Sequence, residues 1–120
     1  MNVEQIRDFA LLLSHVTEDL PFGPDVLVFC IGGKIFMAMS LTSEEPKITL
    51  KLAPADSENL REQYDGIVPA FHWNKKHWND VYLERIKDTL TCDLIQRAYA
   101  LVHAGLPRKI KDELGNECRR

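Results

Sequence analysis

The sequence predicts an α+β domain: an antiparallel sheet of about five strands covered by helices on one face, in the order α-β-β-β-α-β-β-α. Three observations carry this reading. Two apolar segments, Val26 to Ile31 and Lys34 to Met39, flank Gly32-Gly33, and a Gly-Gly pair supplies the positive φ angles of a tight hairpin turn. Lys47 to Leu52 alternates, with Ile48, Leu50 and Leu52 on one side and Lys47, Thr49 and Lys51 on the other, the two-residue period of a strand with one core face and one wet, basic face. Helical stripes stand at the two ends of the chain, set apart from the strands.

Each element has its own signal. Asn2, with Gln5 three residues on, reads as a capping box for a first helix, whose Val3, Ile6, Ala10 and Leu13 share one face. Leu20-Pro21-Phe22-Gly23-Pro24 ends that helix, because two prolines and a glycine cannot continue it. The two strands of the Gly-Gly hairpin follow, and a loop over Thr42 to Pro46 leads to the third. Pro54 to Tyr64 reads as a second helix, with proline near its start and Gly66 past its end. Ile67 to Trp73 and Trp78 to Glu84 read as two further strands; Pro69 confines the first to an edge, and Asn74-Lys75-Lys76-His77 forms the hairpin tip between them. The last long helix runs from about Thr91 to Ala104, with Leu94, Ile95, Ala98, Leu101 and Val102 as its buried stripe and Gly105 and Pro107 as its stop. From about Arg108 the chain is rich in charge and reads as a short helix or a frayed tail.

The 120 residues are the size of one domain, large enough to bury a core without staples. Apolar residues make up 45% and charged residues 28%, which argues against intrinsic disorder. No apolar run approaches the length of a membrane span, and Glu4 and Asp8 beside Arg7 do not resemble a signal peptide. Cys30, Cys92 and Cys118 are odd in number and widely spaced, which fits a reducing, cytoplasmic setting rather than a disulfide framework. The net charge of −3 weighs against non-specific nucleic-acid binding but leaves room for a local basic patch.

Several stretches together resemble the MmcQ/YjbR family: Glu18-Asp19-Leu20-Pro21-Phe22-Gly23; Val28-Phe29 with Gly33-Lys34-Ile35-Phe36; Pro69-Ala70, His72 and Asn74-Lys75-Lys76-His77-Trp78; and Tyr99-Ala100-Leu101-Val102. They occur in the family's order and spacing from about Asn2 to Lys111. The resemblance implies a frataxin-like outline with a twisted antiparallel sheet, and a "double wing" in which two hairpins project to contact DNA. The sequence departs from the family pattern at Ala98, where a serine commonly precedes the helix tyrosine, and at Trp73, a bulky ring beside the second wing.

The candidate site residues are Lys34, Lys47, Lys51, Trp73, Asn74, Lys75, Lys76, His77 and Trp78. Lysines at a hairpin tip reach phosphates without desolvation, and counterion release then supplies affinity. Trp73 and Trp78 flank the tip, where aromatic rings stack on unpaired bases. The competing reading is structural: charged tips keep a hairpin soluble, tryptophans pack on the core, and strand lysines protect an exposed face. The expected function is DNA binding through basic hairpin wings, mainly by phosphate contacts. The alternative is a protein-interaction or small-ligand module without catalysis, with Pro21-Phe22 and the tryptophan hairpin lining an apolar patch. The C-terminal cluster Arg108, Lys109, Lys111, Arg119 and Arg120 is interleaved with Asp112, Glu113 and Glu117, so it is not a polybasic arm.

Catalysis and cofactors are not expected. The chain lacks Cys-x-x-Cys, Gly-x-Ser-x-Gly and His-Glu-x-x-His, and Gly32-Gly33 lies between strands rather than before a helix. His72 and His77 offer a metal two ligands and no third. Cys92 is placed at the start of the last helix, where the dipole would lower its pKa and Asp93 would oppose that. The expected state is a monomer with no membrane association.

Overall fold

The structure, a computed structural model, describes residues 1–118, with side chains described through residue 114. Its element order is α1 (Val3–Leu12), β1 (Thr17–Asp19), β2 (Val26–Ile31), β3 (Lys34–Ser40), β4 (Lys47–Lys51), α2 (Pro54–Gln63), β5 (Ile67–Pro69), β6 (Trp78–Tyr82), α3 (Asp88–Ala104) and α4 (Arg108–Cys118). The strands form one antiparallel sheet in the order β1-β2-β3-β4-β6-β5. Its six strands compare with the five expected. The addition is β1, three polar residues that pair Thr17 with Cys30 and Asp19 with Val28. A short polar edge strand has no apolar alternation to announce it, and such edges resist pairing with another chain.

The capping box at α1 forms as its sequence requires: Asn2 accepts from the Gln5 amide and Gln5 accepts from the Asn2 amide. Gly32 and Gly33 both adopt positive φ, at 58° and 81°, and turn β2 into β3. The pair then slips at Phe29/Cys30, a bulge that realigns the strand beyond it. Both final strands are shorter than their sequence signal, β5 ending at Pro69 rather than Trp73 and β6, which starts at Trp78 as expected, ending at Tyr82 rather than Glu84. Proline lacks the N–H that would carry the ladder further. The segment from Arg108 is a helix, and its Ile110 and Leu114 pack against the core. Arg119 and Arg120 lie outside the described residues.

Register decides which side chains meet the helices. Leu27, Met39, Ile48, Val81 and Ile67 form one row across the sheet, and Phe29, Met37, Leu50 and Asn79 form the next. Both rows face Ile6 and Ala10 of α1 and Leu94, Ile95 and Ala98 of α3, all buried in one core. Burying an aliphatic or aromatic side chain of this kind stabilises the fold by about 1.5–3 kcal/mol. Among the described residues, no helix is long and apolar enough to cross a membrane.

Candidate functional site

The alternate rows point away from the helices. Val28, Ala38, Thr49, Asp80 and Val68 align across this second face, because each is the register neighbour of the next. Lys47, Lys51, Trp78 and Tyr82 share it by the two-residue period. The face is not simply wet, as the alternation of β4 suggests. Thr49 and Asp80 are buried, with 8% and 7% of their surface exposed. The cover is the β5–β6 connection, residues 70–77, which folds back over the sheet instead of standing away from it.

Local turns shape that connection. The Asn74 side chain accepts from the Lys76 amide, and its backbone carbonyl accepts from the His77 and Trp78 amides. This is an Asx-type turn, the reason asparagine suits the position. The decisive anchor comes from α2. Arg61 donates from Nε to Asn79 Oδ1 at 2.7 Å, and from Nη2 to the carbonyl oxygens of Trp78, at 3.2 Å, and Lys75. Asn79 is fully buried and donates in turn to Ser57 Oγ at 2.9 Å. Burial lowers the pKa of the Arg61 guanidinium, and Glu58 partly offsets this.

Aromatic rings hold the rest of the loop. Trp73 lies 4.4 Å from Trp78, centroid to centroid, and meets Phe22 edge-on at 5.9 Å. Such pairs add about 0.5–1.5 kcal/mol beyond area burial. Among the described residues, Trp73 stands in the wall of three hollows, two of which are lined by candidate lysines. The larger, about 550 Å³, has Thr49 and Asp80 on its floor with Lys47 beside them, Lys75 and His72 at its border, and Tyr82, Phe71 and Trp73 along its sides. The second is lined by Lys34, Lys51, Trp73 and Trp78 together with the Gly33 turn and the end of α3.

Charge is unevenly shared between these groups. Asp80 accepts from Thr49 Oγ1 at 2.6 Å and from Lys47 Nζ at 3.4 Å, so Lys47 carries its own counter-ion. Lys75 Nζ sits 4.9 Å from the centre of the Phe71 ring, and Phe71 is 81% exposed. Lys34, Asn74, Lys75 and Lys76 are exposed, whereas Lys51, Trp73, His77 and Trp78 are half-buried. The His77 carbonyl accepts from the Leu52 amide at 2.7 Å, tying the loop to the end of β4.

The first hairpin turn is also in contact with the body of the molecule. A Cβ on Gly32 would meet Leu106 at 2.7 Å, so the turn rests on the α3–α4 connection. Sequence reasoning missed Arg61, Asp80, Phe71 and Tyr82 as parts of this face. Only Arg61 left a trace, as a basic residue in the last turn of α2.

Cys92 requires a correction. α3 begins at Asp88, which places Cys92 in the second turn rather than at the helix start. Burial raises the thiol pKa, Asp88 raises it further, and the N-terminal ammonium opposes them. Cys92 borders a hollow with Met1 and Asp88, while His72 borders the sheet cleft. Among the described residues, no group of three or more metal-ligating side chains converges.

Residues 11–101 match the family model described as YjbR. The chain belongs to the YjbR family. This YjbR chain is 43% identical over 107 residues to the uncharacterised protein YbdF of Escherichia coli O157:H7, covering 88% of each. It is 32% identical over 66 residues to the uncharacterised protein YjbR of Escherichia coli K12, covering 54% of this chain and 56% of that one. Among solved structures, Deinococcus radiodurans protein DR2400, a DUF419 domain, superposes with a TM-score of 0.88 at 30% identity, covering 95% of this chain and 88% of that one. A Pseudomonas syringae protein superposes with a TM-score of 0.73 at 28% identity, covering 84% and 98%. The YjbR fold is therefore shared over nearly the whole chain.

Proposed function

We propose that this YjbR chain binds nucleic acid on the open face of its sheet, mainly through phosphate contacts, with Lys34, Lys51, Lys75 and Lys76 as the principal cations. One observation supports the reading above others. The two lysine-lined hollows beside Trp73 present Lys34, Lys47, Lys51 and Lys75 against a single carboxylate, Asp80, in a chain of net charge −3. A positive surface on an acidic molecule is a local feature that bulk charge conceals. Half-buried and exposed aromatic rings beside those cations suit unpaired bases.

The test is a fluorescence-anisotropy titration of a labelled oligonucleotide across salt concentrations. Three or four neutralised phosphates give a slope of log K against log salt of about −2 to −3 on a single strand. The double charge reversal Lys51→Glu with Lys75→Glu should abolish most of the binding. Absence of binding at low salt, or binding indifferent to that reversal, rejects the proposal.

A second reading, a small-ligand module without catalysis, is favoured by the concavity of the larger hollow. Its volume of about 550 Å³ lies in the range of small-molecule sites, about 300–1,000 Å³.

A further inference from the structure

The larger cleft has a shape and a chemistry that backbone binding does not use. Its floor is polar and rigid: Thr49 and Asp80 are register partners on β4 and β6 and share a 2.6 Å hydrogen bond. Each carboxylate oxygen of Asp80 has a further lone pair, and Lys47 has two more N–H donors. The floor therefore offers an acceptor and a donor side by side, at the bottom of a recess walled by the Tyr82, Phe71 and Trp73 rings. Val26, Ala38 and Val68 complete an apolar lining. The exposed Phe71 and Lys75 stand at the border, where a flanking phosphate would lie.

A planar heterocycle with an exocyclic amine next to a ring acceptor satisfies both floor groups. Cytosine presents such an edge, but only when unpaired, because duplex pairing consumes it. A duplex could meet the lysines at the border yet leave the cleft unfilled. We propose that the cleft takes one unpaired base of a single-stranded nucleic acid, with the amine donating to Asp80, the ring acceptor facing Lys47 and the base stacked among the aromatic walls. The inference rests on the nucleic-acid reading above and deepens it from phosphate binding to recognition of unpaired strands.

The experiment uses the full chain and a labelled 12-residue oligo-dC, alone and annealed to its complement, at low salt. The single strand should bind about ten-fold tighter than the duplex, which corresponds to stacking of one base. Phe71→Ala, at an exposed position that leaves folding intact, should remove most of that advantage and leave duplex binding unchanged. Val68→Trp, which fills the cleft, should do the same. Equal or tighter duplex binding overturns the inference while leaving the phosphate reading in place. So does single-strand binding untouched by both variants but lost on reversal of Lys51 and Lys75. Free dCMP binding as tightly as the oligomer would assign the cleft to a mononucleotide and overturn the strand proposal. Failure of both strand forms to bind rejects the underlying reading together with this one.

Discussion

Replacing Arg61 by alanine isolates the contribution of α2 to the open-face loop. The guanidinium holds the buried Asn79 Oδ1 and two backbone carbonyls of the loop region. After truncation, Asn79 remains fully buried with its acceptor unpaired, a loss of about 1–3 kcal/mol. The Lys75 and Trp78 carbonyls lie nearer to solvent and recover water, so they add little. The net destabilisation is about 2 kcal/mol, which lowers a urea midpoint by about 1 M for a domain of this size. Arg61→Lys keeps the charge but loses the planar fork, and should fall between the two. Hydrogen exchange localises the effect: the Leu52 and Ala70 amides, which donate to His77 and Trp78 carbonyls, should lose protection more than amides in α1. A midpoint shift below about 0.3 M would refute the reasoning and leave Trp73 packing as the loop's anchor.

Three further outcomes follow from the same geometry. Gly32→Ala combines a φ of 58° with a Cβ 2.7 Å from Leu106, whereas Gly33→Ala has only the φ of 81° and open space; the first should lower the melting temperature clearly more, and the reverse order would contradict the packed turn. Glu18 is held below the ordinary glutamate range by its hydrogen bond with Arg7. Its stabilisation is therefore present above about pH 4.3 and disappears as pH falls through the depressed native pKa. The melting-temperature gap between the protein and Arg7→Met should be small at neutral pH, as for any exposed pair, and close in acid; a gap that widens in acid would be inconsistent with the pair. Burial raises both the Cys30 and Cys92 thiols, so in a Cys118→Ser background iodoacetamide labelling should be slower at neutral pH than for a free thiol, and rapid labelling would show that one is activated.

Local rules made much of the fold legible. The capping box of α1, the Gly32-Gly33 turn and the alternation of β4 are decided by residues within a few positions of one another. The stripe of α3 is equally plain, although Leu101 is only half-buried and the helix begins three residues before the start its sequence suggests, because Lys87 at the cap makes no side-chain hydrogen bond to mark it. What stayed hidden depends on distant partners. Lys47 reads as a free cation until Asp80, 33 residues on, is brought beside it. Arg61 reads as an ordinary helix terminus until Asn79, 18 residues away, turns inward. Residues 70–73 read as the end of a strand and Asn74 to His77 as a free tip, because the tip's polar residues fit solvent equally well. It is Trp73 meeting Phe22 and Trp78 that folds the loop down.

The strand order has a consequence for how the cleft comes into being. The pairings β1–β2, β2–β3, β3–β4 and β5–β6 join neighbours along the chain, whereas β4–β6 reaches across α2 and β5. That one long-range seam carries Thr49 and Lys47 on one side and Asp80 and Tyr82 on the other. Closing it incurs the largest loop entropy among the sheet's pairings, so it belongs among the later steps of folding. An occupant touching both banks would act as a clasp on the join, raising resistance to unfolding where the sheet's two halves meet.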